Sequence, residues 1–97
     1  MMDINEIKER LNGLKKEIRQ KYKAEIIGIF GSFARGEEGK ESDIDVLVEF
    51  KEGATLFDLT GLADFLEERL GRKVDVVSTR ALRKEIKGDV MKDLVAV

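Results

Sequence analysis

The chain has 97 residues, 42% of them hydrophobic and 39% charged, with a formal net charge of −2 and no histidine, cysteine or proline. That length predicts one domain, residues 1–97, with a modest core; no apolar run of about 18 residues exists to span a membrane, and the opening Met-Met-Asp-Ile-Asn-Glu lacks the order of a signal peptide, so a cytoplasmic location is expected. Disulfides, thiolate or imidazole metal ligands and histidine acid–base chemistry are excluded, and the negative balance argues against stable binding of a long nucleic acid.

The first predicted element is a helix from Asp3 to about Tyr22. Ile4, Ile7, Leu11, Leu14, Ile18 and Tyr22 fall on one stripe, Asp3 can cap it, and Glu6 follows three residues on. Gly13 inside it costs about 1 kcal/mol relative to alanine. Glu25–Phe30 is a short apolar run read as a buried strand, in which Gly28 marks a close approach by another backbone. Ser32–Gly36 starts a short helix, and Glu37–Glu41 is a polar loop. Asp43–Phe50 is the second strand, with Ile44, Val46, Val48 and Phe50 on one face and Asp43, Asp45, Leu47 and Glu49 on the other. Thr55 caps a helix whose stripe is Leu56, Leu59, Ala63, Leu66 and Leu70, widened by Phe57, Leu62 and Phe65 and stopped by Gly71. Lys73–Val77 is a third strand. Ser78 or Thr79 then caps a basic helical segment from Arg80 to about Lys87, and Asp89–Ala96 reads as a last turn or two of helix. The order α-β-α-β-α-β-α predicts an α/β (α+β) domain around a small sheet flanked by helices.

Charge is distributed unevenly along this order. Residues 37–52 carry seven acids against two bases, a net of −5, whereas residues 69–92 carry eight bases against three acids, a net of +5. An acidic site with a basic flank suits a metal–nucleotide complex and an anionic partner, although a solvated surface explains the basic stretch equally well.

Two features carry the chemistry. Gly31-Ser32, at a strand-to-helix junction, offers exposed amides to a phosphate: glycine permits close backbone approach, and the Ser32 hydroxyl adds a donor. Ten residues later, Asp43 and Asp45 stand two apart at the start of a strand and share a face. Aspartate is depleted in strands, and paired carboxylates repel unless a cation lies between them. Hard oxygen ligands beside a phosphate cradle suit Mg²⁺, which favours carboxylates plus substrate phosphate oxygens. Asp75 interrupts Val74-x-Val76-Val77; on a neighbouring strand facing Asp43 and Asp45, it completes three carboxylates able to hold two cations, or acts as general base. Its alternative is an edge-strand aspartate facing water.

Gly31-Ser32, ten residues, Asp43-x-Asp45, with Ala34-Arg35-Gly36 and Ser42 inside the span, resembles the minimal nucleotidyltransferase (MNT) proteins of the DNA polymerase β-like superfamily. The resemblance covers nearly the whole chain. It implies a small mixed sheet with flanking helices, Mg²⁺ (two ions) and a nucleoside triphosphate, ATP, as substrate. By resemblance, Asp43, Asp45 and Asp75 match the catalytic, metal-binding acids, and Gly31 and Ser32 match positions that contact the triphosphate. Arg35 matches a recurrent arginine, for which phosphate contact and a structural ion pair stay open, and Ser42 either donates to a phosphate or caps the loop. No departure occurs at the three carboxylates, so activity is expected. MNT proteins of this size pair with a HEPN-domain ribonuclease toxin, and the resemblance implies an antitoxin that transfers AMP to a toxin tyrosine within a hetero-oligomer. Polymerases and tRNA nucleotidyltransferases use further domains to hold their acceptors, so either a small acceptor or an acceptor surface borrowed from a partner is expected here. Two other readings compete: a non-catalytic antitoxin that occludes its partner, and an aminoglycoside-type transferase acting on a small-molecule hydroxyl.

Overall fold

The structure, a computed structural model, describes residues 2–97. Helix α1 (Ile4–Tyr22) begins where the Asp3 carboxylate accepts the Glu6 amide at 2.9 Å, and its stripe buries Ile7, Leu11 and Ile18 completely. Strand β1 (Ala24–Phe30) leads into the single turn α2 (Ser32–Arg35), and β2 (Ile44–Phe50) follows the polar loop. Helix α3 (Leu56–Leu70) opens with a reciprocal capping box between Thr55 and Asp58. It closes at Gly71, whose N–H donates to the Glu67 carbonyl at 2.8 Å. Strand β3 (Val74–Ser78), a 3₁₀ turn (Thr79–Ala81), α4 (Lys84–Asp93) and a two-residue strand β4 (Val95–Ala96) complete the order.

The sheet order is β3-β2-β1-β4. Strand β1 runs antiparallel to β2 and β4, while β2 and β3 are parallel. A parallel pair needs a crossover, and α3 supplies it. The sheet is therefore mixed and flanked by helices, as expected. On one face, α1 and α3 cover Ile26 and Ile29 from β1 and Ile44, Val46 and Val48 from β2 in a single apolar cluster. Leu47 is only 1% exposed yet stands outside that cluster, so the opposite face is covered at its centre too.

Three expectations change. Leu56 and Phe57 do not join the α3 stripe: they lie 78% and 88% exposed on the first turn of the helix. The basic segment is split, with Ser78 capping the 3₁₀ turn through the Arg80 amide and α4 starting afresh at Lys84. Val95–Ala96 is a strand rather than the end of a helix, because Gly28 and Ile29 offer it a free sheet edge. Gly28 does mark a close approach: a Cβ there would sit 2.5 Å from the Val95 carbonyl oxygen.

Candidate active site

Strand pairing brings the acids together. Asp45 lies in β2, opposite Phe30 on one side and opposite Asp75 on the other. Register partners share a face, and Asp43, two residues before Asp45, projects the same way. Asp43 and Asp45 are half-buried, whereas Asp75 is exposed on the edge strand β3. Asp75 is thus an edge-strand aspartate facing water, in register with Asp45.

Gly31 joins this face to the phosphate turn. Its backbone has φ 77 and ψ −153, and a Cβ built on it would collide with Asp45 Oδ2. Only glycine allows the turn to lie flat against the carboxylate. The amides of Ser32, Phe33 and Ala34 head α2 and have no carbonyl acceptor four residues back within it. Ser32 is half-buried beside them, with Phe33 buried beneath.

Electrostatics give the acids their character. Burial pushes the Asp45 carboxyl up from 3.8 to about 6, the charges of Asp75 and Asp43 add to the rise, and only Arg35 opposes it. The negative charge is undercompensated, and every donor is a hard oxygen. That donor set fits Mg²⁺. Among the described residues no three acidic side chains converge on a common metal position. Asp43, just before β2, and Asp45 within it share a face, and Asp75 stands in register with Asp45 on β3.

Arg35 and Ser42 are engaged structurally. Arg35 Nη1 donates to Asp93 Oδ2 of α4 at 2.9 Å and Nε to Glu37 Oε2 at 3.3 Å, so of the two alternatives the ion pair is formed. Ser42 Oγ accepts the Gly39 amide at 2.8 Å and caps the loop. Sequence reasoning missed Arg72, counted only as one of eight bases in residues 69–92. Its Nε donates to the Ser42 carbonyl at 2.8 Å, and Nη2 donates to those of Gly39 at 2.6 Å and Lys40 at 3.0 Å. Its guanidinium lies 4.9 Å from the centre of the Phe33 ring. The local signal was the Gly71-Arg72 helix exit, which returns the chain toward the start of β2, where the Ile44 amide meets the Lys73 carbonyl at 3.0 Å. A groove of about 400 Å³, lined by Phe50, Leu56, Leu59 and Arg80 among others, lies at the far end of β2 and contains none of these acids.

A glycine turn pressed against a paired-carboxylate strand, with a third acid across the register, defines a nucleotidyl-transfer enzyme. The chain belongs to the nucleotidyltransferase domain family, which matches residues 11–97. Within that family it is similar to a protein adenylyltransferase, MntA, of Thermococcus cleftensis, at 38% identity over 100% of this chain and 98% of the relative. The solved structure of a minimal nucleotidyltransferase superposes with a TM-score of 0.83 at 35% identity, over 99% of this chain and 97% of the other. An MNT antitoxin complexed with the tri-AMPylated HEPN toxin of Shewanella oneidensis superposes with a TM-score of 0.57 at 25% identity, over 82% of this chain and 61% of that one. The resemblance read from Gly31 to Asp45 is borne out.

Proposed function

We propose that this chain, a single domain working in the cytoplasm, transfers AMP from ATP to a tyrosine hydroxyl of a HEPN-domain toxin and acts as its antitoxin within a hetero-oligomer. The adenylyltransferase name of the Thermococcus cleftensis relative and the AMPylated toxin beside the Shewanella oneidensis antitoxin support this reading. The observation that carries it is the Gly31 turn lying directly against Asp45; amides able to bind a phosphate would then lie beside oxygens able to bind a metal.

Gly31 and Ser32 would hold the triphosphate through backbone amides and the Ser32 hydroxyl. Asp43 and Asp45, with Asp75, would hold two Mg²⁺ ions; when bound, these supply the positive charge that offsets the charge developing on the transferring phosphoryl group and on pyrophosphate. The acceptor oxygen bonds to the α-phosphorus as the bond from that phosphorus to the bridging oxygen breaks, and pyrophosphate leaves. As an alternative to holding metal, Asp75, exposed at the sheet edge, would take the hydroxyl proton.

Labelled ATP, Mg²⁺ and a HEPN toxin encoded beside this chain are the components of the test. Label should move to a toxin tyrosine and be lost with Asp43→Ala plus Asp45→Ala. Transfer that survives the double substitution would overturn the assignment. Exposed Leu56 and Phe57 favour a second contribution, direct occlusion of the partner; a double mutant that still neutralises the toxin would make occlusion the principal activity.

A further inference from the structure

The loop between the Gly31–Ser32 turn and the carboxylates is tied to α2 at its start, where the Glu37 amide donates to the Ser32 carbonyl at 2.9 Å and Arg35 Nε to Glu37 Oε2 at 3.3 Å, but its 39–42 turn has no such anchor of its own. Residues 36–43 contain no helix or strand, and Glu37, Glu38 and Glu41 add charge of the same sign as the site they border. Inside the loop, the Gly39 amide donates to Ser42 Oγ at 2.8 Å and the Ser42 amide to the Gly39 carbonyl at 3.2 Å. These bonds close a small turn but do not fix its place in the molecule. Arg72 does that. Three carbonyls of the turn, those of Gly39, Lys40 and Ser42, accept from its guanidinium. The same planar group lies over Phe33, the residue after Ser32, and Phe33 is only 1% exposed. One side chain therefore ties α2, immediately beyond the phosphate amides, to the residue just before Asp43. Arginine suits the task because its donors leave a flat, rigid fork that also stacks on an aromatic face; a lysine offers one nitrogen and no plane.

We propose that Arg72 is a positioning residue for nucleotidyl transfer: by holding the 39–42 turn against α2, it sets the separation between the Gly31–Ser32 amides and the Asp43–Asp45 carboxylates. This role rests on the nucleotidyltransferase reading above. Arg72 donates to the carbonyls of Gly39, Lys40 and Ser42 and not to the carboxylates, and it acts by pre-organisation, so that binding of metal and nucleotide need not order the loop.

The test compares the full-length parent with Arg72→Ala and Arg72→Lys. The affinity for MgATP is measured by calorimetry without acceptor, and trypsin cleavage is followed at two bonds. One is Lys40–Glu41, whose carbonyl Arg72 holds; the other follows Lys15 in α1 and reports global unfolding. Arg72→Ala should bind MgATP about tenfold more weakly and be cut at Lys40 at least tenfold faster, with cleavage after Lys15 changed less than about twofold. Arg72→Lys should fall between the two. Cleavage at Lys40 that rises only in step with cleavage at Lys15 would reduce Arg72 to a general stabilising contact and overturn the proposal. So would MgATP affinity in Arg72→Ala within twofold of a parent that binds normally. A parent that binds no MgATP at all would instead overturn the transferase reading, and this role with it.

Discussion

Replacing Asp45 with asparagine should stabilise the metal-free protein while abolishing transfer. The Asp45 carboxyl rises from 3.8 to about 6, chiefly through burial and then through the charges of Asp75 and Asp43. A rise of that size corresponds to roughly 3 kcal/mol if fully expressed; solvent reaching this half-buried group reduces it to about 1–2 kcal/mol. The sign follows from proton counting. Between pH 4 and 6 the folded chain holds a proton on Asp45 that the unfolded chain has lost, so stability falls as pH rises through this window. Below it both states are protonated and the penalty vanishes; above it the penalty is complete. The asparagine side chain has nearly the same shape and carries no charge, so the difference between variant and parent isolates this one group. Calorimetric melts in a chelating buffer should show equal midpoints near pH 4 and a variant midpoint roughly 5–15 °C higher at pH 7 for a domain of this size. Excess Mg²⁺ with ATP should raise the parent and leave the variant nearly unmoved. A midpoint difference that is constant from pH 4 to 7, or a variant less stable at pH 7, would refute the reasoning.

Gly31→Ala brings a Cβ into Asp45 Oδ2 at a φ of 77, and should lower stability by about 1–3 kcal/mol. Urea unfolding will read that loss, and MgATP binding should fall with it. Gly13→Ala works in the opposite direction. Its Cβ meets nothing within 4 Å in a helix interior, so a gain of about 0.4–1 kcal/mol is expected, with transfer rates unchanged.

How much of this was legible depended on whether the controlling interactions were local. The two long helices were: the stripe of Ile7, Leu11 and Ile18 and the caps at Asp3 and Thr55 act within a few residues of one another. The Asp43–Asp45 pair was legible because alternation along a single strand fixes which side chains share a face. Phe57 was misread because its helical position fits an apolar stripe, and local spacing carries no information on which part of a helix has a tertiary neighbour to pack on. Arg72 lies about thirty residues from the carbonyls it holds, and no period in the sequence connects them. Strand β4 depends on Gly28, nearly seventy residues upstream, leaving room for the Val95 carbonyl.

The site itself rests on a local irregularity in the sheet. From Ala24↔Phe50 to Ile26↔Val48, β1 and β2 pair in one register; from Gly28↔Leu47 to Phe30↔Asp45 the register has shifted by one residue, with Ile27 as the extra residue. Without that bulge Ile29 would stand opposite Asp45 and turn its side chain away from the core, and Phe30 would stand opposite Ile44. With it, Ile29 is fully buried under the helices and Phe30 pairs with Asp45. Gly31, the next residue, then arrives against the Asp45 carboxylate. The Ile27 carbonyl accepts the Val97 amide at 3.2 Å, fixing the chain beyond β4 to the same edge. Bulges bend a strand and re-aim its side chains, and they concentrate beside active sites for that reason. Here a single inserted residue reconciles two demands that a regular ladder could not meet together: an apolar face for α1 and α3, and the Gly31 turn delivered to the carboxylates.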